Sequence, residues 1–182
     1  MNNIKILHVV PTLKKDGAEV QLALQMNNFK NVEAELFTFD MYREGNSVEN
    51  DLGNIKLHYG KIFKFVYLYR LIKKNKYKIV HSHLPKSDMA IGFLKYFDKN
   101  IHHVVSVHAQ YGTRKGESKF KYKFFNFFWK YILNRSDGVI AISKKIKLWL
   151  VNDFSIKEEK ITTIHYGVEV KDRKQKRYNG NI

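Results

Sequence analysis

Short apolar runs of strand length alternate with longer segments at helical spacing along most of the chain. Ile4–Val10 is a near-continuous apolar run, as expected of a strand buried on both faces. Ala18–Phe29 then places Ala18, Leu22, Gln25, Met26 and Phe29 at helical spacing. The alternation continues. Strands are expected at Glu33–Phe39, Ile55–His58, Tyr77–Ser82, His102–His108, Gly138–Ile142 and Ile161–His165. Helices are expected at Phe63–Lys74, Asp88–Phe97, Lys119–Leu133 and Lys144–Val151, the last capped by Ser143. Asp40–Gly53 is polar and reads as a loop, and the charged stretch after Val170 reads as frayed or linker-like. This order predicts an α/β fold: one Rossmann-like parallel sheet with helices on both faces, over residues 1–170.

Composition removes several classes of function. The chain has no cysteine, so disulfides, thiolate catalysis and cysteine–zinc sites are excluded. Its start, "MNNIKILHVVPTL", lacks a basic leader, and the apolar run is broken by His8 and Pro11, which is unlike a signal peptide. No apolar run reaches the ~18 residues of a membrane span. The expected location is the cytoplasm, with a peripheral position at the inner membrane face as an option. Basic residues outnumber acidic ones 33 to 17, a formal net charge of +16. Such an excess concentrates anions: nucleic acid, a phosphorylated substrate or an anionic membrane. A surface that is simply rich in lysine is the bland alternative.

In a parallel sheet with right-handed crossovers the strand C-termini share one edge, and ligands bind there. That edge should carry Lys14, Lys15, Asp16, Gly17, Ala18 and Glu19 after the first strand. His81, Ser82, His83, Pro85, Lys86 and Ser87 should follow the fourth, and His108, Tyr111, Arg114 and Lys115 the fifth. Ser143, Tyr166 and Gly167 close the set. A helix N-terminus suits phosphate, and Gly17 lets a ligand or backbone come close. His81 and His83, two apart on one strand, share a face, with His108 ending the next strand. Three histidines could ligate a metal; core histidines or hydrogen-bonding groups for a polar substrate are the competing readings. No acidic or cysteine partner lies nearby in sequence, so the expectation is no metal. His102 and His103 should sit at the opposite edge as structural residues.

The segment "SKFKYKFFNFFWKYILNR" is apolar almost all round. On a helical wheel Lys119, Lys123, Asn126 and Lys130 form a narrow stripe, flanked by Tyr122, Trp129 and Leu133. Phe120, Phe124, Phe127, Phe128, Tyr131 and Ile132 form a broad arc. One reading buries this helix between the sheet and a neighbouring segment. The other makes Lys119, Lys123, Lys130 and Trp129 membrane-facing, with lysines at anionic headgroups and aromatics in the boundary.

Five motifs in order, "IKILHVVPTLKKDGAEVQLALQ", "YKIVHSHLPKSDMAIGF", "VVSVHAQYG", "SDGVIAISKKIKLWLVNDF" and "KITTIHYGVEV", resemble the N-terminal domain of GT-B glycosyltransferases of family 4. The resemblance runs from Ile4 to about Val170. It implies a retaining enzyme with a nucleotide-sugar donor and no required metal, no cofactor being bound by this domain. The family's first loop normally carries two glycines facing the donor diphosphate. Here Asp16 replaces the first, leaving Gly17 and Ala18 in that role. His108 in "SVH" matches the family histidine near the sugar and acceptor, His83 a shaping residue, and Tyr166 stands where the family has asparagine. Lys86, Arg114 and Lys115 are expected to contact a glycan or lipid-linked acceptor. The implied partner is a C-terminal donor-binding domain, in the same or a separate chain, with residues 171–182 as the linker toward it. A natural half-enzyme and an expressed acceptor half are both compatible with this. Nucleic acid is not an expected partner, since the chain shows no helix-turn-helix, zinc knuckle or RNP-type strand.

Overall fold

The computed structural model describes residues 4–40, 46–111 and 119–167, with the side chains of Lys119 and Lys121 outside that description. The interior strand β1 (Ile4–Thr12) pairs in parallel with β2 (Val32–Asp40) on one side and β4 (Ile79–His83) on the other. β3 (Lys56–Tyr59) extends the sheet beyond β2; β5 (His103–Val107), β6 (Gly138–Ala141) and β7 (Ile161–Thr163) extend it beyond β4. The order is β3-β2-β1-β4-β5-β6-β7, parallel throughout. The direction of travel reverses between β1 and β4, the switch point where such sheets open a crevice for ligands.

Helices cover the two faces unequally. α1 (Gly17–Asn27) packs Leu22, Ala23 and Met26 on Val10 and Leu36 of one face. α2 (Lys64–Asn75) and α3 (Pro85–Phe97) pack on Leu7, Val9, Phe37 and Val80 of the other. α4 (Lys119–Arg135) and α5 (Lys144–Phe154) cover Val105, Val107, Val139 and Ala141 on that same second face. Right-handed crossovers require this: connections leading toward β3 lie on one face and those leading toward β7 on the other. Ser143 caps α5 as expected, its Oγ accepting from the Ile146 N–H at 3.3 Å.

Two expectations are corrected. Part of Asp40–Gly53 is not plain loop: Glu49–Asp51 form a short 3-10 turn, and Val48 and Leu52 bury against Leu13, Leu22 and Met26. The Val48 N–H donates to the Leu13 carbonyl at 2.9 Å, which ties this segment to the end of β1. The second correction concerns α4. Trp129 does not face a membrane; it is 0 % exposed and lies at the centre of the α4–α5 core. Its indole Nε1–H donates to Asp88 Oδ2 at 2.9 Å, so an α3 carboxyl holds it inward. Asp88 Oδ1 accepts from Ser82 Oγ at 2.7 Å, and His103 Nε2 lies 2.7 Å from the same hydroxyl. Burial pushes the Asp88 carboxyl up to about 7. The helix therefore turns Trp129, Ile132 and Leu133 inward, while Phe120, Phe124, Phe127, Phe128 and Tyr131 stay outside.

Candidate functional site

Register sets the central feature of the site. His8 on β1 is the direct neighbour of His81 on β4, and His83 is the neighbour of Ser106 on β5. In a parallel pair, neighbours share a face, so His8, His81, His83 and Ser106 converge on the face that α1 covers. The ring centroids of His81 and His83 are 4.3 Å apart and those of His8 and His81 4.9 Å. His8 Nδ1 lies 3.0 Å from His83 Nε2, and His83 Nδ1 lies 3.1 Å from His108 Nε2. His108 Nδ1 is hydrogen-bonded in turn to the Tyr166 hydroxyl. His81 Nε2 is 2.8 Å from Ser106 Oγ. Three imidazoles and a phenol thus run from inside the sheet to its C-terminal edge, with His81 packed against His8 and His83.

Burial keeps these rings neutral, because a low-dielectric surrounding disfavours the imidazolium. It lowers His8 to about 3 and His108 to about 4, and it holds His81 and His83 well below the ordinary histidine range, helped by their neighbours. His8, His81 and His83 bring one nitrogen each within 4.8 Å of one another, and they are the group of described residues able to hold a cation. A metal there would have to displace one of the two hydrogen bonds of His83 and would meet no carboxylate within the group.

His8 is the residue that sequence reasoning missed. It reads as a break in an apolar run, whereas its position in β1 opposite the HxH strand is the signal. Leu84, directly after His83, is a second omission. It sits at φ 70°, ψ 144°, a region that costs a bulky residue about 1–3 kcal/mol. That backbone turns the chain from β4 into Pro85, whose fixed φ suits the first position of α3.

The other expected residues are distributed around this edge. Gly17 is exposed and opens α1; a Cβ there would meet nothing within 4 Å among the described residues. Asp16 precedes it without a side-chain capping bond, which leaves first-turn N–H groups of Gly17 and Ala18 for solvent or a ligand. The basic loop before it is partly neutralised, by Lys15–Asp51 at 2.8 Å and Lys14–Asp16 at 3.8 Å. Glu19 is buried, its Oε2 has no partner among the described residues, and burial raises its carboxyl. The Ser87 Oγ and Tyr111 hydroxyl are likewise buried without a partner among the described residues. Lys86 is exposed on the first turn of α3 and lines an apolar groove with Phe65, Met89, Ala90 and Phe93, apart from the histidine chain. Arg114, Lys115 and the Lys119 side chain lie outside the described residues. Lys123 is exposed, and Lys130 donates to Ser155 Oγ at 3.1 Å. Both border a groove between α4 and α5 with Tyr122, Phe127, Trp149 and Phe154. No helix among the described residues is long and apolar enough to cross a membrane.

The family model described as Glycosyltransferase Family 4 matches residues 6–172. No curated protein matches the chain. Among solved structures, Anabaena HepE in complex with UDP superposes with a TM-score of 0.70 at 14 % identity, over 91 % of this chain and 45 % of HepE. The apo lipopolysaccharide outer core galactosyltransferase WaaB gives 0.66 at 17 % identity, over 93 % of this chain and 47 % of WaaB. A UDP-N-acetylglucosamine 2-epimerase from Rickettsia bellii gives 0.60 at 13 % identity, over 90 % and 45 %. At these identities the structural likeness establishes the fold alone, and the chain spans a little under half the length of each of these proteins.

Proposed function

Since the chain belongs to glycosyltransferase family 4, being an N-terminal GT-B domain, we propose that it is the acceptor-binding half of a retaining glycosyltransferase. The enzyme would move a sugar from a nucleotide-sugar donor to a glycan or lipid-linked acceptor. A second, donor-binding domain, in the same or a separate chain, supplies most of the nucleotide site, and this domain alone is inactive. The observation that carries the reading is the neutral histidine chain that starts at the β1/β4 switch point with His8 and His83 and runs past β5 to His108 and Tyr166, with the open Gly17 turn following β1. Neutral imidazoles and phenols orient hydroxyls without adding charge, which fits a mechanism in which the donor phosphate takes the acceptor proton on the front face. His108, held near 4, then positions the acceptor and is not a conventional base. Gly17 and Ala18 face the diphosphate across the cleft, and Arg114 and Lys115 serve the acceptor; His83, with both ring nitrogens bonded to His8 and His108, shapes the site from inside, and Lys86 lines the separate α3 groove. No metal is required.

The test has two arms. Thermal-shift titration of this chain should detect glycan or lipid-phosphate acceptors and only weak nucleotide binding; tight UDP binding by the chain alone would overturn the division of labour. With the donor-binding domain present, product NMR should show the donor's anomeric configuration kept, and an inverted product would refute retention.

A membrane-associated acceptor is the form that the surface favours. Ile62 and Phe63 before α2, Phe93, Tyr96 and Phe97 on α3, and the outer aromatics of α4 are all exposed on one side of the sheet among lysines. Lysines near an anionic surface contribute roughly 1 kcal/mol each. Nucleic-acid binding is the rival for the same positive charge; a salt-dependent gel shift with no glycan or lipid preference would favour it.

A further inference from the structure

The chain His8–His83–His108–Tyr166 admits two proton orders in which every member is neutral. In one, the Tyr166 hydroxyl donates to His108 Nδ1, and each Nε2–H donates inward, so that His8 ends the chain with an Nε2–H. In the other, each Nδ1–H donates outward, from His8 to His83, from His83 to His108 and from His108 to the Tyr166 oxygen. His8 then ends the chain with a bare Nε2 lone pair. The inner end decides between them. His8 is 2 % exposed, and its Nε2 has no hydrogen-bond partner among the described residues. It is enclosed by ring neighbours, with Phe29 stacked at 5.7 Å and His81 at 4.9 Å. A buried N–H without an acceptor is rarer in folded proteins than a buried acceptor without a donor. The outward order satisfies this condition and the inward order violates it.

We infer that the chain is ordered outward from His8, so that the Tyr166 O–H, and not a ring nitrogen of His108, is the donor presented at the sheet edge to an acceptor oxygen of the ligand. Both nitrogens of His108 are engaged, one by His83 and one by Tyr166. The ring therefore acts through the phenol. Tyr166 is half-buried at the C-terminal end of the sheet, one residue before the exposed Gly167. Burial raises its hydroxyl further above neutrality, so it stays protonated and able to donate. The proton order stands on its own; the ligand contact rests on the glycosyltransferase reading above.

The two parts are tested separately. Long-range 1H–15N NMR of histidine-labelled protein near neutral pH should show His8, His83 and His108 all protonated at Nδ1, against the Nε2 preference of free histidine. Nε2 protonation of His83 and His108 would overturn the proton order whatever the protein's activity. Tyr166→Phe should leave the His8 and His83 tautomers in place while the His108 Nδ1–H loses its exchange protection; unchanged protection would show that Tyr166 is not its acceptor. Titration with inorganic phosphate, a probe rich in acceptor oxygens, should move the Tyr166 ring carbon bearing oxygen and leave the His108 tautomer unchanged. A response at His108 without Tyr166, or no response at Tyr166, would overturn the ligand-facing role.

Discussion

Acidification should destabilise the protein in a way that one residue far from the cleft can report. His103 is 0 % exposed, and burial lowers it from 6.5 to about 3. Between those values the unfolded chain binds a proton that the folded chain refuses. Stability is therefore present above about pH 6.5 and is lost as the pH falls, by about 1.4 kcal/mol per unit. From pH 6.5 to about pH 5, His103 alone removes about 2 kcal/mol, a large share of the 5–15 kcal/mol typical of a folded domain. His8, His81, His83 and His108, whose rings burial also holds low, act in the same direction. Asp88 opposes them: raised to about 7, its folded form holds a proton that the unfolded form has released, so its contribution grows as the pH falls from 7 toward 4. His103→Gln keeps an N–H for Ser82 but cannot titrate. Urea unfolding followed by the fluorescence of Trp129 and Trp149, across about pH 5 to 7.5, should give the variant a pH slope shallower by about one proton. Parallel slopes for wild type and variant would refute the reasoning.

Three further outcomes follow from packing and charge. Gly92→Ala should destabilise by about 1–3 kcal/mol, because the new Cβ would sit 2.6 Å from Ile132 Cγ2 on α4; Ile132→Ala, itself costly, should cancel most of that increment in a double-mutant cycle read by thermal melting. Gly17→Ala should leave the melting temperature unchanged, since the Cβ meets nothing, while transfer activity in the presence of the donor-binding domain falls about tenfold or more; equal activity would remove the diphosphate from that turn. Lys123→Glu with Lys130→Glu should lower co-sedimentation with anionic liposomes several-fold and leave neutral liposomes unaffected; indifference to lipid charge would return the α4 aromatics to another role.

The strands were legible in the sequence because each is a short apolar run, and the helices because their apolar positions repeat at helical spacing. Boundaries moved where a local signal was underweighted. α3 begins at Pro85 and not Asp88, since proline is at ease in a first turn. The buried pair Val48 and Leu52 lies four apart in an otherwise polar stretch, too sparse a pattern to outweigh its neighbours. Inside and outside on α4 could not be read from the wheel, because aromatics occur on both sides; the choice fell to Asp88, a tertiary partner 41 positions away. At the site, the HxH strand and His108 were visible as candidates. His8 was not, because only the β1–β4 register brings it to them.

The placement of β1 inside the sheet, between β2 and β4, also governs how the chain can be assembled. Its contact with His83 joins residues 75 positions apart, so one of its edges stays open until β4 has emerged. Closing so long a loop is a slow, entropically costly event compared with forming any of the helices. During synthesis the first three strands therefore wait with a bare apolar edge, the period in which a newborn chain is most vulnerable to pairing with the wrong neighbour.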